Sequence, residues 1–313
     1  MKKVLLPDTM PLNPALPDGW EAAVIDARAP IPPEHANARA LVVWGASRAH
    51  LASAATDLPD LRLVQSLAAG VDGIVAAGFG AQVAIASGAG LHNATVAEHT
   101  VALLLALVRR LPDCLAAQAH HVWSRELGGL QPLRPDGRLT TLLDAHVTVW
   151  GFGSIGRTLA PILTALGAHV TGVARTAGPR AGFPVVADAD LPTLLPDTDV
   201  LIGILPATEA TAGAIGAAVF ASLPRHALVV NVGRGATLDQ RALADALMSG
   251  AIGGAAIDVA TPEPLPADSV LWDLPNLVIT PHAAGGRPIG ADERIARNLA
   301  ALDTGVQIEH RAV

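Results

Sequence analysis

A chain of 313 residues, 51% hydrophobic and 16% charged, is long enough for two domains with full cores and is far from a disordered composition. A net charge of −7 with no basic run excludes a nucleic-acid surface. The longest apolar stretch, around 96–108, is broken by Glu98 and His99 and falls short of the roughly 20 residues of a membrane span, and a single cysteine, Cys114, permits no internal disulfide and fits a reducing cytoplasm.

The N-terminal apolar run stops at Pro7, too short for a signal-peptide core, and reads as a first strand. "KVLLP", "AAVIDA", "ALVVWG", "LRLVQSL" and "QVAIAS" follow one another as short β-like runs, each ending in turn-forming residues. Their spacing predicts a small parallel α/β domain. A helix is predicted next, with Asn93 or Thr95 as cap, Glu98 completing a capping box with Thr95, and Arg109 and Arg110 in its last turn. It is apolar nearly all round and so requires burial on several sides, at a domain junction or between subunits. A second series starts at "HVTVWGFGSIG" and runs through "HVTGVAR", "DVLIGILPA", "ALVVNVGRG", "GGAAIDVA" and "LVITPHAAG". Near-continuous apolar strands of this kind belong to a parallel sheet covered on both faces, which binds ligands at the C-terminal strand ends. The tail, "ADERIARNLAALDTG", is an amphipathic helix.

Those strand ends carry the unusual residues. After "VTVW" stands Gly151-x-Gly153-x-x-Gly156, between a strand and a helix. Gly151 permits a tight turn, Gly153 lets the backbone approach a pyrophosphate, and Gly156 lets the helix pack on the strand. This is the pattern of a dinucleotide site. The following strand of such a unit usually ends in an acid that holds the adenosine ribose. Residues 168–176, "AHVTGVART", contain none, and the first acid after Gly156 is Asp188. Arg175 and Thr176 stand there instead, a guanidinium and a hydroxyl suited to a 2′-phosphate, so NADP is the expected cofactor with NAD still usable. Arg180 is a second positive charge nearby.

Three further loops each carry one polar residue. Arg234 lies between two glycines in "NVGRG" and suits a planar carboxylate. Glu263 is held between Pro262 and Pro264. His282, in "ITPHAAGG", is a group that exchanges protons near neutral pH. Each alone is an ordinary loop residue. Together, on one sheet edge beside a nucleotide, they form an acid–base pair with an anion-binding arginine.

At this point the chain resembles the D-isomer-specific 2-hydroxyacid dehydrogenases. The resemblance is carried by "LAAGVDGI", "ATVAEHTVALLLALVRR", "VWGFGSIGRTLA", "ILPATEATAG", "NVGRGATLD", "AAIDVATPEPLP" and "LWDLPNLVITPHAAG", in the family's order over roughly 65–285. It implies an α/β protein of two Rossmann-like, doubly wound parallel-sheet domains with the active site in the cleft between them. Residues 1–95 plus 286–313 would form a flavodoxin-like substrate-binding domain and 96–285 the dinucleotide-binding domain. By the same resemblance Arg234, Glu263 and His282 are catalytic, and Arg234 and His282 also meet the substrate. Asp258 would face the nicotinamide carboxamide. Ser154, Ile155, Leu205, Pro206, Thr211, Asn231, Val232 and Gly233 would line the cofactor, with Thr95 a further contact. The backbone of Ala69 and Gly70 would meet the substrate carboxylate.

The implied reaction is hydride transfer between nicotinamide and C2 of a small 2-oxo or D-2-hydroxy acid, of the glyoxylate or hydroxypyruvate kind, by a homodimeric cytoplasmic enzyme without metal. A phosphite dehydrogenase, a formate dehydrogenase (which carries glutamine where Glu263 stands) and a corepressor-like nucleotide-sensing protein are the alternatives. The family often has an aromatic residue where Ala260 stands, so a reshaped pocket is expected. His92 lies near where substrates are sorted. His99, His120, His121 and His146 have no such motif around them and read as structural or exposed.

Overall fold

The structure, a computed structural model, describes residues 1–129, 133–134 and 137–313. The chain divides into two compact units, Met1–His92 with Arg287–Val313, and Asn93–Gly286.

The first unit holds β1 (Lys2–Pro7), β2 (Trp20–Ile25), β3 (Ala38–Val43), α1 (Arg48–Asp57), β4 (Leu63–Ser66), α2 (Asp72–Ala76) and β5 (Ala84–Ala86), closed by a C-terminal helix (Ala291–Thr304). The strands pair in parallel in the order β2-β1-β3-β4-β5, the flavodoxin-type winding. Side chains alternate across the sheet. Val4, Leu6, Val42 and Leu63 pack with Ile295 and Leu299 of the C-terminal helix. Leu5, Leu41, Val64 and Ile85 pack on the other face with Leu51 and Ala54 of α1. One polar network crosses the first of these layers: Asn298 Nδ2 donates to Gln65 Oε1 at 2.5 Å, and Gln65 Nε2 donates to the Ser66 carbonyl at 2.7 Å. It pins the end of β4, after which Ala69 and Gly70 follow.

The second unit begins with α3 (Asn93–Val108) and α4 (Leu111–Ala119). It continues with β6 (His146–Trp150), α5 (Ser154–Ala165), β7 (His169–Ala174), β8 (Val185–Ala187), α6 (Leu191–Leu194), β9 (Val200–Gly203), α7 (Ala217–Ser222), β10 (Leu228–Asn231), α8 (Gln240–Met248), β11 (Gly254–Ile257) and β12 (Leu277–Ile279). The order is β12-β11-β10-β9-β6-β7-β8, all parallel. The winding reverses between β6 and β9, where open sheets of this type place ligands. Leu104 of α3 and Leu159 and Leu163 of α5 cover one face over Val147, Val149, Ile202 and Val230. Phe220, Leu243 and Leu247 cover the other over Leu201, Val229 and Ile257. Leu159 and Leu163 are fully buried; truncating either to alanine costs about 2–5 kcal/mol.

Two local expectations change. α3 starts at Asn93, so Thr95 sits inside the first turn and not at the cap. Arg109 and Arg110 lie beyond the helix, which Arg110 ends by taking φ 52°. α3 packs within its own unit against α5, β10 and β11, with Val96, Ala97, Leu103, Leu104 and Val108 buried and Val101, Leu105 and Leu107 partly exposed. Leu111, Leu115, Val122 and Trp123, on α4 and just after it, are exposed. Among the described residues no helix is long and apolar enough to cross a membrane.

Candidate active site

The glycine-rich turn follows β6. The amides of Gly151 and Phe152 both donate to the Val173 carbonyl of β7 at 3.0 Å, which folds the chain sharply at the strand end. Gly151 has φ +100°, and a Cβ there would stand 2.5 Å from the Ile204 carbonyl oxygen, so only glycine fits. Gly153 caps α5 with no side-chain bond. A Cβ on Gly153 would meet nothing within 4 Å. The start of α5, at Ser154 and Ile155, therefore opens onto free space with its first amides unpaired by the helix. Open space in front of a helix N-terminus suits a pyrophosphate, so this turn fits a dinucleotide.

At the end of β7, Arg175 and Thr176 are exposed. Arg180 folds back toward them: Nη2 donates to the Thr176 carbonyl at 2.7 Å and to Thr176 Oγ1 at 2.8 Å, and Nη1 donates to the Phe152 carbonyl at 3.4 Å. The Arg180 guanidinium is thus held against Thr176, the residue after Arg175, at the end of a strand that carries no acid of its own. Asp188 follows β8 one step past the Ala174–Ala187 pair, beside Arg175 along the sheet edge, and its carboxylate accepts from Trp150 Nε1 at 3.0 Å.

Arg234 follows β10, Glu263 lies on the long loop after β11, and His282 follows β12. His282 Nδ1 and Glu263 Oε2 are 2.8 Å apart. The other oxygen of Glu263 accepts from the Ala260 amide at 3.0 Å. Burial opposes the charged form of Glu263. The bonds from His282 and Ala260, with the charges of His282 and Arg234, outweigh it and hold the carboxyl below its ordinary value. Arg234 Nη1 donates to the Gly233 carbonyl at 2.8 Å. A cavity of about 380 Å³ opens beside the pair, lined by Asp258, Ala260, Glu263, Trp272, Thr280 and His282 among others. Ala260, with its short side chain, is part of that wall. A separate cavity of about 280 Å³ lies at the opposite edge of the same sheet, near Leu107, Arg110, His226 and Asn276, away from these motifs.

The remaining expected contacts sort by what their side chains do. Leu205 and Val232 are buried at the ends of β9 and β10, and Pro206 is exposed. Thr211 Oγ1 donates to the Pro206 carbonyl at 2.6 Å and so shapes that loop. Asn231 is fully buried; its Oδ1 accepts from the Gly233 amide at 3.2 Å and its Nδ2 donates to the Arg234 carbonyl at 3.2 Å. Its side chain is used in building the Arg234 turn. Asp258, 1% exposed, directs its carboxylate onto the His282 loop, with bonds from Thr280, Ala283 and Ala284. In the first unit, Ala69 is exposed and Gly70 partly so. His92 is buried, stacks on Trp44 with ring centroids 5.5 Å apart, and lies 2.8 Å from the Leu67 carbonyl. Burial lowers its pKa against the opposing effect of that bond.

His99, expected to be structural or exposed, lies 3.0 Å from Thr280 Oγ1 and 3.3 Å from Asp258 Oδ1. Thr280 itself was not singled out. The available signal was position: His99 is a polar residue on an apolar helix, and Thr280 is two residues before His282.

Residues 101–284 match the family described as D-isomer specific 2-hydroxyacid dehydrogenase, NAD binding domain. The glycerate dehydrogenase of Methylorubrum extorquens is 33% identical over 230 residues, 72% of this chain and 70% of that one. Among solved structures, the D-isomer specific 2-hydroxyacid dehydrogenase of Xanthobacter autotrophicus Py2, in complex with NADPH and MES, has a TM-score of 0.81 and 28% identity, covering 100% of this chain and 98% of the other. The NADPH-dependent glyoxylate/hydroxypyruvate reductase of Sinorhizobium meliloti, in complex with NADP and sulfate, has a TM-score of 0.81 and 26% identity, with 99% and 98% covered. A glycine-rich turn shaped for a dinucleotide, two parallel sheets and these relatives lead to one conclusion: the chain belongs to the D-isomer specific 2-hydroxyacid dehydrogenase family and is an NAD(P)-dependent oxidoreductase.

Proposed function

We propose that the protein is an NADPH-preferring reductase of small 2-oxo acids of the glyoxylate and hydroxypyruvate class, forming the D-2-hydroxy acid. The observation that carries this reading is the 2.8 Å His282–Glu263 pair at the C-terminal edge of the sheet, one loop away from Arg234. Arg234 binds the substrate carboxylate through its planar fork and polarises the neighbouring carbonyl. His282 holds Glu263 with Nδ1, which leaves Nε2 to give a proton to the oxygen that forms on C2. Glu263 as a carboxylate favours the imidazolium that this step consumes. The chemistry supplied by the bound reduced nicotinamide is a hydride for C2. Oxidation of the hydroxy acid requires His282 to accept the proton instead. Gly151, Gly153 and the start of α5 would hold the pyrophosphate, and Arg175 and Thr176, with Arg180 behind them, the 2′-phosphate. The same family reading makes the protein a homodimer built on the exposed apolar residues of α4, in the cytoplasm, where the single Cys114 suits a reducing environment.

The test is an assay of the purified protein with glyoxylate, hydroxypyruvate and bulkier 2-oxo acids, each with NADPH and NADH. Turnover is expected to be best with the two small acids and NADPH. His282→Ala is expected to lower kcat by about 10²–10⁴-fold. A protein that reduces none of these acids, or an unchanged kcat in His282→Ala, overturns the reading.

A further inference from the structure

The proton transfer above gives Asp258 and Thr280 nothing to do, yet they form a connected polar cluster directly beside His282. Asp258 Oδ1 accepts from the Thr280 hydroxyl at 2.6 Å and from the Ala283 amide at 2.8 Å. Oδ2 accepts from the Ala284 amide at 3.0 Å. The Asp258 backbone carbonyl accepts from the amide of His282 at 2.8 Å. His282 has φ 53°, a left-handed conformation that a residue with a side chain holds only when its surroundings impose it. Pro281, His282 and Ala283 are exposed, so apolar packing does not impose it. The bonds to Asp258 do.

His99 reaches this cluster from α3. Its Nε2 is 3.0 Å from Thr280 Oγ1 and 3.3 Å from Asp258 Oδ1. The proton arrangement follows from the partners. A carboxylate that takes three donors has no proton to give. The one proton of Thr280 is therefore donated to Asp258, and the hydroxyl oxygen is left as an acceptor. His99 Nε2 must then carry a hydrogen and donate it. The chain of donation runs from His99 to Thr280 to Asp258, and Asp258 in turn holds the amides of His282, Ala283 and Ala284.

We infer that His99 is a positioning residue for the proton-transfer step. By donating Nε2–H to Thr280 it commits the hydroxyl proton to Asp258 and fixes the turn 280–284 that presents His282. Thr280 is the relay. His99 touches neither substrate nor the reacting atoms in this role; it acts on the direction of the His282 ring. The inference rests on the reading of His282 as the proton donor.

The experiment compares His99→Leu, His99→Gln, Thr280→Val and Thr280→Ser with wild type and His282→Ala. For each, kcat and KM with glyoxylate, the NADPH dissociation constant and Tm are measured. His99→Leu and Thr280→Val are expected to lose about 10–100-fold in kcat, the scale of a misplaced catalytic group. KM and NADPH affinity are expected to stay near wild type. His99→Gln, whose amide nitrogen donates from a similar reach, and Thr280→Ser, which keeps the hydroxyl, are expected to recover most of the loss. The double variant His99→Leu/Thr280→Val is expected to be no slower than either single one, because both break the same relay. Wild-type kcat in His99→Leu, with His282→Ala inactive, overturns this inference alone. Equal losses in the Leu and Gln variants, or in the Val and Ser variants, also overturn it, because bulk and not donation would then matter. Should His99→Leu fail to fold, the Thr280 pair decides. Wild-type kcat in His282→Ala overturns the reading of the site and this inference with it.

Discussion

Glu263 uses both carboxylate oxygens, one on the His282 ring and one on the Ala260 amide. These bonds and the neighbouring positive charges hold its pKa below the ordinary glutamate value despite partial burial. A lowered carboxyl pKa means that the paired form is fully present above the ordinary value and is lost as pH falls through the lowered one. Reductive kcat is therefore expected to persist into acid, below the ordinary glutamate range. Glu263→Gln removes the carboxylate paired with His282 Nδ1, so kcat is expected to fall and the acid limb of its pH profile to disappear; a kcat and profile superimposable on wild type would remove Glu263 from the mechanism. Arg175 makes a different kind of prediction. If it pairs with a 2′-phosphate, Arg175→Ala is expected to raise KM for NADPH by the equivalent of about 1.5–3 kcal/mol and leave KM for NADH nearly unchanged. Equal effects on both cofactors would make it a residue that lies over the adenine. Arg175 can be proposed from sequence because it stands at a known place in a strand-turn pattern. His99 cannot be, because its meaning lies in a partner 181 positions away.

The elements were legible in proportion to how much their burial marks the sequence. β6, β9, β10 and β11 are nearly continuous apolar runs because both faces of the sheet are covered. β8 was missed: it has three residues, follows Pro184 and lies at the sheet edge, where neither length nor pattern distinguishes it from a loop. The start of α3 was displaced for a related reason. Thr95 and Glu98 carry the spacing of a capping box, but that spacing also occurs within a first turn, and the helix already runs from Asn93. In the turn between β6 and α5, glycine at 151 is demanded by a backbone contact. Gly151→Ala is expected to abolish NADPH binding measured by fluorescence titration and to lower Tm. Its Cβ would overlap the Ile204 carbonyl, and the left-handed conformation alone costs about 1–2 kcal/mol for a residue with a side chain. Wild-type affinity in this variant would show that the turn does not carry the pyrophosphate.

For the whole molecule, the distribution of apolar surface is the informative quantity. Leu111, Leu115, Val122 and Trp123 are 47%, 64%, 55% and 95% exposed, all within one stretch. Apolar groups gathered in this way mark an association surface. Light scattering at micromolar concentration is expected to give about twice the 31.9 kDa of one chain, and Leu115→Glu to give one. A single-chain mass for wild type would leave that surface for something else. The seven-stranded sheet has a consequence of another kind. The residues proposed to read the cofactor phosphate follow β7, whereas those proposed to handle the substrate follow β10, β11 and β12, with β6 and β9 between them. A cell's supply of reducing equivalents and its supply of oxo acids thus act on different strands. Substitutions that move the chain from one redox pool to another can accumulate beyond β7 while the acid–base pair stays as it was, so a lineage can exchange its coenzyme and still inherit its reaction.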